Sequence, residues 1–220
     1  MDALVAPKKL VDQAYTTILD AICDGTLKPG ERLTQESVAE RLNVSRQPIH
    51  NAFLVLKAQG FVEEAGRRGV SVVPLDPKLF EAIYQFRSAV EPLAVTLATP
   101  RLSSEAIKQG HALIGHGKSA TRKRDNNALL AADMAFHLFI YDWSGNCLIL
   151  DTMRLNWHHL RRAMREVLQL PGLAERIWKE HAGIFESMVA QRTDESASLM
   201  RHHVVAAHRD VSTALLATHR

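Results

Sequence analysis

Nowhere in its 220 residues does the sequence approach the run of about 20 apolar residues that a membrane-spanning helix requires, although 46% of it is hydrophobic. That lack points to a soluble protein with no membrane partner. A secretory signal is lacking as well. The opening MDALVAPKKL places its acidic residue second and its lysines after the few apolar positions, the reverse of a signal peptide, so a cytoplasmic location is expected. Cysteine is scarce: Cys23 and Cys147 stand far apart, each within an apolar helical pattern. This spacing implies neither a disulfide framework nor a CxxC metal site and predicts two buried free thiols. A strong charge imbalance is also missing where it would be most informative. The chain carries a formal net charge of +3, but residues 1 to 75 hold nine Lys/Arg against nine Asp/Glu. Any acidic partner of that segment is met by locally placed cations and not by a uniformly basic surface.

What is present at the N-terminus is a sequence of capped helices. Val11, Ala14, Tyr15, Ile18 and Ile22 recur at helical spacing, and the pattern stops at Asp24-Gly25, predicting a helix from about 8 to 23. Leu27-Lys28-Pro29-Gly30 reads as a turn. Thr34 can cap a second helix with Val38, Ala39 and Leu42 inward, and Ser45 can cap a third after Asn43-Val44. In the third, Ile49, Ala52, Phe53 and Leu56 form a buried stripe while Arg46, Gln47, His50 and Asn51 fall on the other side. Pro48 is tolerated in a first turn, where its missing N–H has no intrahelical partner anyway. Gly60 can end this helix. Phe61 to Glu64 and Val70 to Val73 then read as two strands around the basic tip Ala65-Gly66-Arg67-Arg68-Gly69. Two short helices in a tight turn followed by a basic hairpin suit DNA, with a helix in the major groove and the tip on phosphate or in the minor groove. Taken alone, the polar face of the third helix reads more readily as a merely solvated surface.

Leu27-Lys28-Pro29-Gly30-Glu31-Arg32-Leu33 and Val44-Ser45-Arg46-Gln47-Pro48-Ile49 resemble the GntR family of bacterial regulators, and the resemblance covers nearly all of residues 10 to 75. It implies that Arg46, Gln47 and His50, with Ser45 and Asn51 beside them, approach base edges or phosphates, and that Arg67 and Arg68 form the wing. The family usually has Arg where His50 stands and often Ala-Leu where Phe53-Leu54 stand, so operator sequence does not carry over.

Beyond the stiff Pro74-Leu75-Asp76-Pro77, no segment alternates with period two. Helices are predicted at roughly 78–99, 103–118, 125–144, 147–168, 172–191 and 194–217, forming an antiparallel bundle. The expected fold is therefore mainly α: a winged helix-turn-helix with a small β-hairpin over 1–75, then an all-α bundle of about six helices over 76–220. Asp133 and His137 stand at i, i+4 on one helix, among the apolar Leu129, Leu130, Phe136 and Ile140. His181 lies in the stripe Ile177, His181, Ile184, Met188, and His203 in the stripe Met200, His203, Ala207, Val211, whereas His202 shares its side with Ser198 and Arg209. Three inward histidines and one inward aspartate can make a mixed N/O divalent-metal centre with open positions. Zinc is the default, with nickel and manganese as alternatives. The other reading of each is a core histidine hydrogen-bonded to a neighbour, and Asp133 with His137 also occurs as a simple helical pair.

Asp133-Met134-Ala135-Phe136-His137, Ser144-Gly145-Asn146, Glu180-His181 and Met200-Arg201-His202-His203-Val204 resemble the FCD ligand-binding domain of the FadR branch, closest to its VanR-like subgroup. That resemblance implies Asp133, His137, His181 and His203 as metal ligands and a small carboxylate as effector. Arg87, in Phe86-Arg87-Ser88-Ala89-Val90-Glu91, is then a candidate anion clamp. Its other reading is an i, i+4 ion pair with Glu91. Arg154, Arg161 and Arg165, with Trp157 and His158, could line the same cavity, and Arg161 is the second effector candidate. The implied function is a homodimeric regulator on a near-palindromic operator, in the bacterial cytosol and nucleoid-associated when on DNA. A purely structural or metal-sensing ion is the first alternative. A metal-dependent hydrolase is the rival from another class. No obvious second acid/base partner lies beside the site, and an enzyme would leave the winged helix unexplained, so no catalytic residue is assigned.

Overall fold

The computed structural model describes residues 8–66, 69–168, 170 and 172–218. Helix α1 spans Lys8–Cys23, where the apolar spacing put it, and is followed by a short strand β1, Arg32–Thr34. Helix α2 (Gln35–Leu42) starts at Thr34, whose Oγ1 accepts a hydrogen bond from the Ser37 amide at 3.1 Å. Asn43 closes α2 at φ 51°, a left-handed conformation that Asn adopts more readily than most residues. Helix α3 (Arg46–Ala58) follows. Ser45 stands at its N-cap in extended conformation, but its hydroxyl makes no capping bond, which corrects the expected role of that side chain.

Strands β2 (Val62–Glu64) and β3 (Gly69–Val72) form the hairpin. The sheet is three-stranded and antiparallel, in the order β1-β3-β2, with Leu33 opposite Val70 and Glu63 opposite Ser71. The sequence reading missed β1 because three residues are too short to show alternation and their partner lies in the hairpin far along the chain. Leu33, Ile49, Leu56, Phe61 and Val72 form a core under this sheet.

The second compact unit begins at Asp76. The Asp76 carboxylate accepts a hydrogen bond from the Lys78 amide, opening α4 (Pro77–Ala98). A 3-10 turn over Thr99–Arg101 leads to α5 (Ser104–Lys123), capped by Ser103. Then come α6 (Asn126–Ser144), capped by Asp125, and α7 (Cys147–Val167), capped by Asn146. Helices α8 (Leu173–Val189) and α9 (Thr193–Thr218) complete the six. Helix α5 overruns its expected end at 118, up to the left-handed Arg124. Its glycines let it approach α8 closely: a Cβ on Gly117 would stand 2.1 Å from Trp178, and one on Gly110 would stand 2.0 Å from Phe185. Helix α4 packs against α6 and α9. Cys23 is buried as expected, but Cys147 is exposed, because the first turn of α7 turns that position outward.

Candidate nucleic-acid interface and metal centre

On α3 the apolar stripe Ile49, Ala52, Phe53 and Leu56 is buried, which forces Arg46 and Gln47 into solvent and leaves His50 and Asn51 half-exposed. Arg46 pairs with Glu36 of α2, and Gln47 Nε2 donates to Asn51 Oδ1 at 3.3 Å. The amide of Gln35 lies 3.1 Å from His50 Nδ1. Lys57 Nζ meets Glu64 Oε1 at 2.5 Å, tying α3 to β2, and holds that carboxyl below its ordinary range. Arg67 and Arg68 lie outside the described residues.

The second unit gathers its histidines from three helices. His137 of α6, His181 of α8 and His203 of α9 each offer a ring nitrogen, all within 4.8 Å of one another. His181 Nε2 stands 3.1 Å from His203 Nε2 and 3.5 Å from Asp133 Oδ1. All four side chains are buried, whereas His202 is exposed and bonds back to Ser198.

Two carboxylates face the outer ring nitrogens. Glu180 Oε2 sits 2.8 Å from His203 Nδ1, leaving Nε2 for the interior. Glu91 Oε2 lies 3.0 Å from His137 Nδ1, out of line for a hydrogen bond, and His137 Nε2 has no hydrogen-bond partner among the described residues. Sequence reasoning missed both roles, since neither pair has a local spacing that could have shown it. Glu91 also accepts from Arg87 Nε at 2.5 Å and from the Tyr141 hydroxyl at 2.8 Å. Arg87 therefore makes the ion pair with Glu91 and is itself buried, its guanidinium sandwiched at 4.9 Å from the Tyr84 ring and 5.1 Å from that of Trp157. On α7, Arg161 is half-buried, Arg154 exposed, and Arg162, which the sequence did not single out, buried.

Burial sets the protonation states. It pushes His181 well below the ordinary imidazole range, and neighbouring His203 and His137 push it further. Burial also lowers His203, with Glu180 partly opposing, and raises Asp133. For Glu91, burial would raise the carboxyl, but Arg87 and His137 more than offset it and hold it far below its usual range. Tyr84 is pushed up to about 12 by burial, and its hydroxyl has no hydrogen-bond partner among the described residues. Neutral His181 and His203 present lone pairs, which is the state a metal needs.

The donor set fits a divalent ion. Two ligands about 2.1 Å from one ion, at tetrahedral to octahedral angles, stand about 3.0–3.4 Å apart, close to the 3.1 and 3.5 Å separations around His181 Nε2. A buried polar group without a partner costs about 1–3 kcal/mol, so an ion that engages His137 Nε2 would remove a penalty the fold otherwise carries.

Comparison with known proteins gives consistent matches. Residues 82–206 match the FCD domain, and residues 10–72 match the gntR family of bacterial regulatory proteins. The HTH-type transcriptional regulator YdhC of Bacillus subtilis is 28% identical over 206 residues, covering 88% of this chain and 85% of that protein. McbR of Escherichia coli, also an HTH-type transcriptional regulator, is 24% identical over 178 residues, or 81% and 80% of the two chains. The solved structure of E. coli McbR/YncC superposes with a TM-score of 0.80 at 20% identity, covering 99% of this chain and 100% of that one.

Proposed function

The chain belongs to the GntR family as a transcriptional regulator with an FCD domain, not an enzyme, and on that premise we propose that a divalent ion on Asp133, His137, His181 and His203 receives a small carboxylate effector that modulates operator affinity. The observation that carries this reading is the buried histidine cluster with an orphaned nitrogen on His137. A bound ion would supply a Lewis-acidic position for a carboxylate oxygen. Glu180 orients His203, and Glu91 stands against His137, as carboxylates behind metal-binding imidazoles commonly do. Arg87 offers cationic charge beside the site, already countered by Glu91, and Arg161 is the second anion contact.

At the other end of the chain, Arg46, Gln47, His50 and Asn51, flanked by Ser45 and backed by the wing's Arg67 and Arg68, read a near-palindromic operator as a dimer. A face of α4 supports the homodimer. Leu79, Phe86 and Leu93 are 37%, 40% and 47% exposed. With the exposed Ala82, Ala89 and Thr96 they repeat at alternating steps of three and four, the seam of a helix that packs on its own copy.

No helix among the described residues is long and apolar enough to cross a membrane. The metal-dependent hydrolase reading falls with the family assignment. A purely structural ion remains a second reading, favoured by the depth of the donors, none of whose side chains is more than 5% exposed. Thermal melts with a panel of small carboxylates, with and without chelator, separate the two. Effector-dependent stabilisation should vanish with the chelator if the ion receives the effector. An undiminished effector response after the metal is stripped leaves the ion structural.

A further inference from the structure

Histidine at a DNA-reading position poses a problem that arginine does not. Its two ring nitrogens can exchange roles, and one that donates in one tautomer accepts in the other. A half-buried ring on α3 reads DNA consistently only if something fixes which nitrogen carries the hydrogen. Gln35 is placed to do so. It is the first residue of α2, where the Thr34 cap and the pairing of Thr34 with Gly69 of β3 fix the backbone. Its amide nitrogen reaches His50 Nδ1 at 3.1 Å, and an amide NH2 can only donate. Nδ1 is then the acceptor and Nε2 carries the hydrogen. No side chain among the described residues hydrogen-bonds Nε2. Gln35 and His50 together line a cleft of about 270 Å³ between α3 and the β2–β3 hairpin, with Phe53, Lys57, Glu64 and Val70 among its other lining residues.

We propose that Gln35 is a positioning residue for DNA recognition: it holds His50 as the Nε2–H tautomer, so that His50 meets DNA as a single hydrogen-bond donor with a fixed direction. The chemistry it takes is a hydrogen-bond acceptor on the duplex, either a purine N7 in the major groove or a phosphate oxygen. This assignment rests on α3 being the DNA-reading helix and adds a residue from α2 that touches no DNA itself.

The test uses the full-length chain and the tightest duplex it recovers from a randomised DNA pool. In the free wild-type protein, the nitrogen-15 resonances of the His50 ring should show Nε2 protonated and Nδ1 bare, a measurement that needs no variant. Gln35→Met keeps the length and removes the amide. Its affinity for the selected duplex should fall about three- to tenfold, the worth of one hydrogen bond, while binding to an unrelated duplex stays within about twofold. In a His50→Ala background Gln35→Met should then have no further effect. Replacing purines with 7-deazapurines, or phosphates with methylphosphonates, at successive positions identifies the acceptor as the substitution that erases the His50 contribution. A hydrogen on Nδ1, an unchanged affinity in Gln35→Met, or an undiminished Gln35 effect without His50 would each overturn the proposal. Failure of the wild-type chain to select any duplex would instead overturn the DNA-reading role of α3.

Discussion

The proposed metal centre and the proposed reading face make opposite demands on single residues. Every donor of the histidine cluster is buried, so removing one takes a polar neighbour from the others inside the fold, whereas Arg46 stands in solvent and its loss costs the fold little. His181→Ala should therefore lower the metal content of purified protein to well under half an ion per chain, measured by elemental analysis; undiminished metal would remove His181 from the ligand set. Glu180→Gln is the subtler variant. It keeps a hydrogen-bonding group against His203 Nδ1 but loses the carboxylate, and metal affinity should drop about 10- to 100-fold with the fold intact. Arg46→Ala should abolish selective binding to the recovered duplex while leaving the melting profile within about 0.5 kcal/mol of the parent, because an exposed ion pair such as Arg46–Glu36 contributes little. Selective binding retained by that variant would remove Arg46 from the reading face.

Among the elements, the long helices were legible because burial repeats along them. The period that placed His181 beside Ile177 and Ile184 is the same period that packs α8. Strand β1 was not legible, since its three residues are defined by a partner across the sheet. The carboxylates behind the histidines were hidden for a similar reason: Glu180 and His203 sit 23 positions apart, and only the packing of α8 on α9 joins them. The approach of α5 to α8 was also invisible, since a glycine in a helical pattern reads as a weakness until its neighbour is known. Gly117→Ala tests that contact. Alanine gains about 1 kcal/mol in helix propensity, but its methyl would lie 2.1 Å from Trp178, and such overpacking costs about 1–3 kcal/mol. The ring of Trp178 stands edge-on to His181 at 4.9 Å, so its displacement reaches the cluster. Both thermal stability and metal affinity should fall. A variant that is more stable than the parent would show that α8 yields without cost. On α4, Phe86→Glu together with Leu93→Glu places charge in the exposed seam and should convert a dimer into a monomer, read by sedimentation; a dimer that persists must use another face.

At the level of the whole chain there are two compact units, and if the second regulates the first, as proposed, thermodynamics constrains how they do so. The first 75 residues carry no net charge by formal count, so operator affinity depends on the few cations that touch phosphate. Each such contact adds nearly one to the slope of log affinity against log salt. In the proposed reading, occupancy of the histidine cluster would enter separately, as a coupling free energy between two sites. If the metal-loaded, effector-bound state alters operator affinity by some factor, the operator must alter effector affinity by that same factor, and typical couplings lie at about 5- to 150-fold. Measuring both directions at one salt concentration is decisive for the regulatory reading. Equal factors well away from one would place the cluster and α3 on one conformational equilibrium. Factors of one in both directions, with stability still dependent on the metal, would leave the ion as a structural element and move the effector site elsewhere in the bundle.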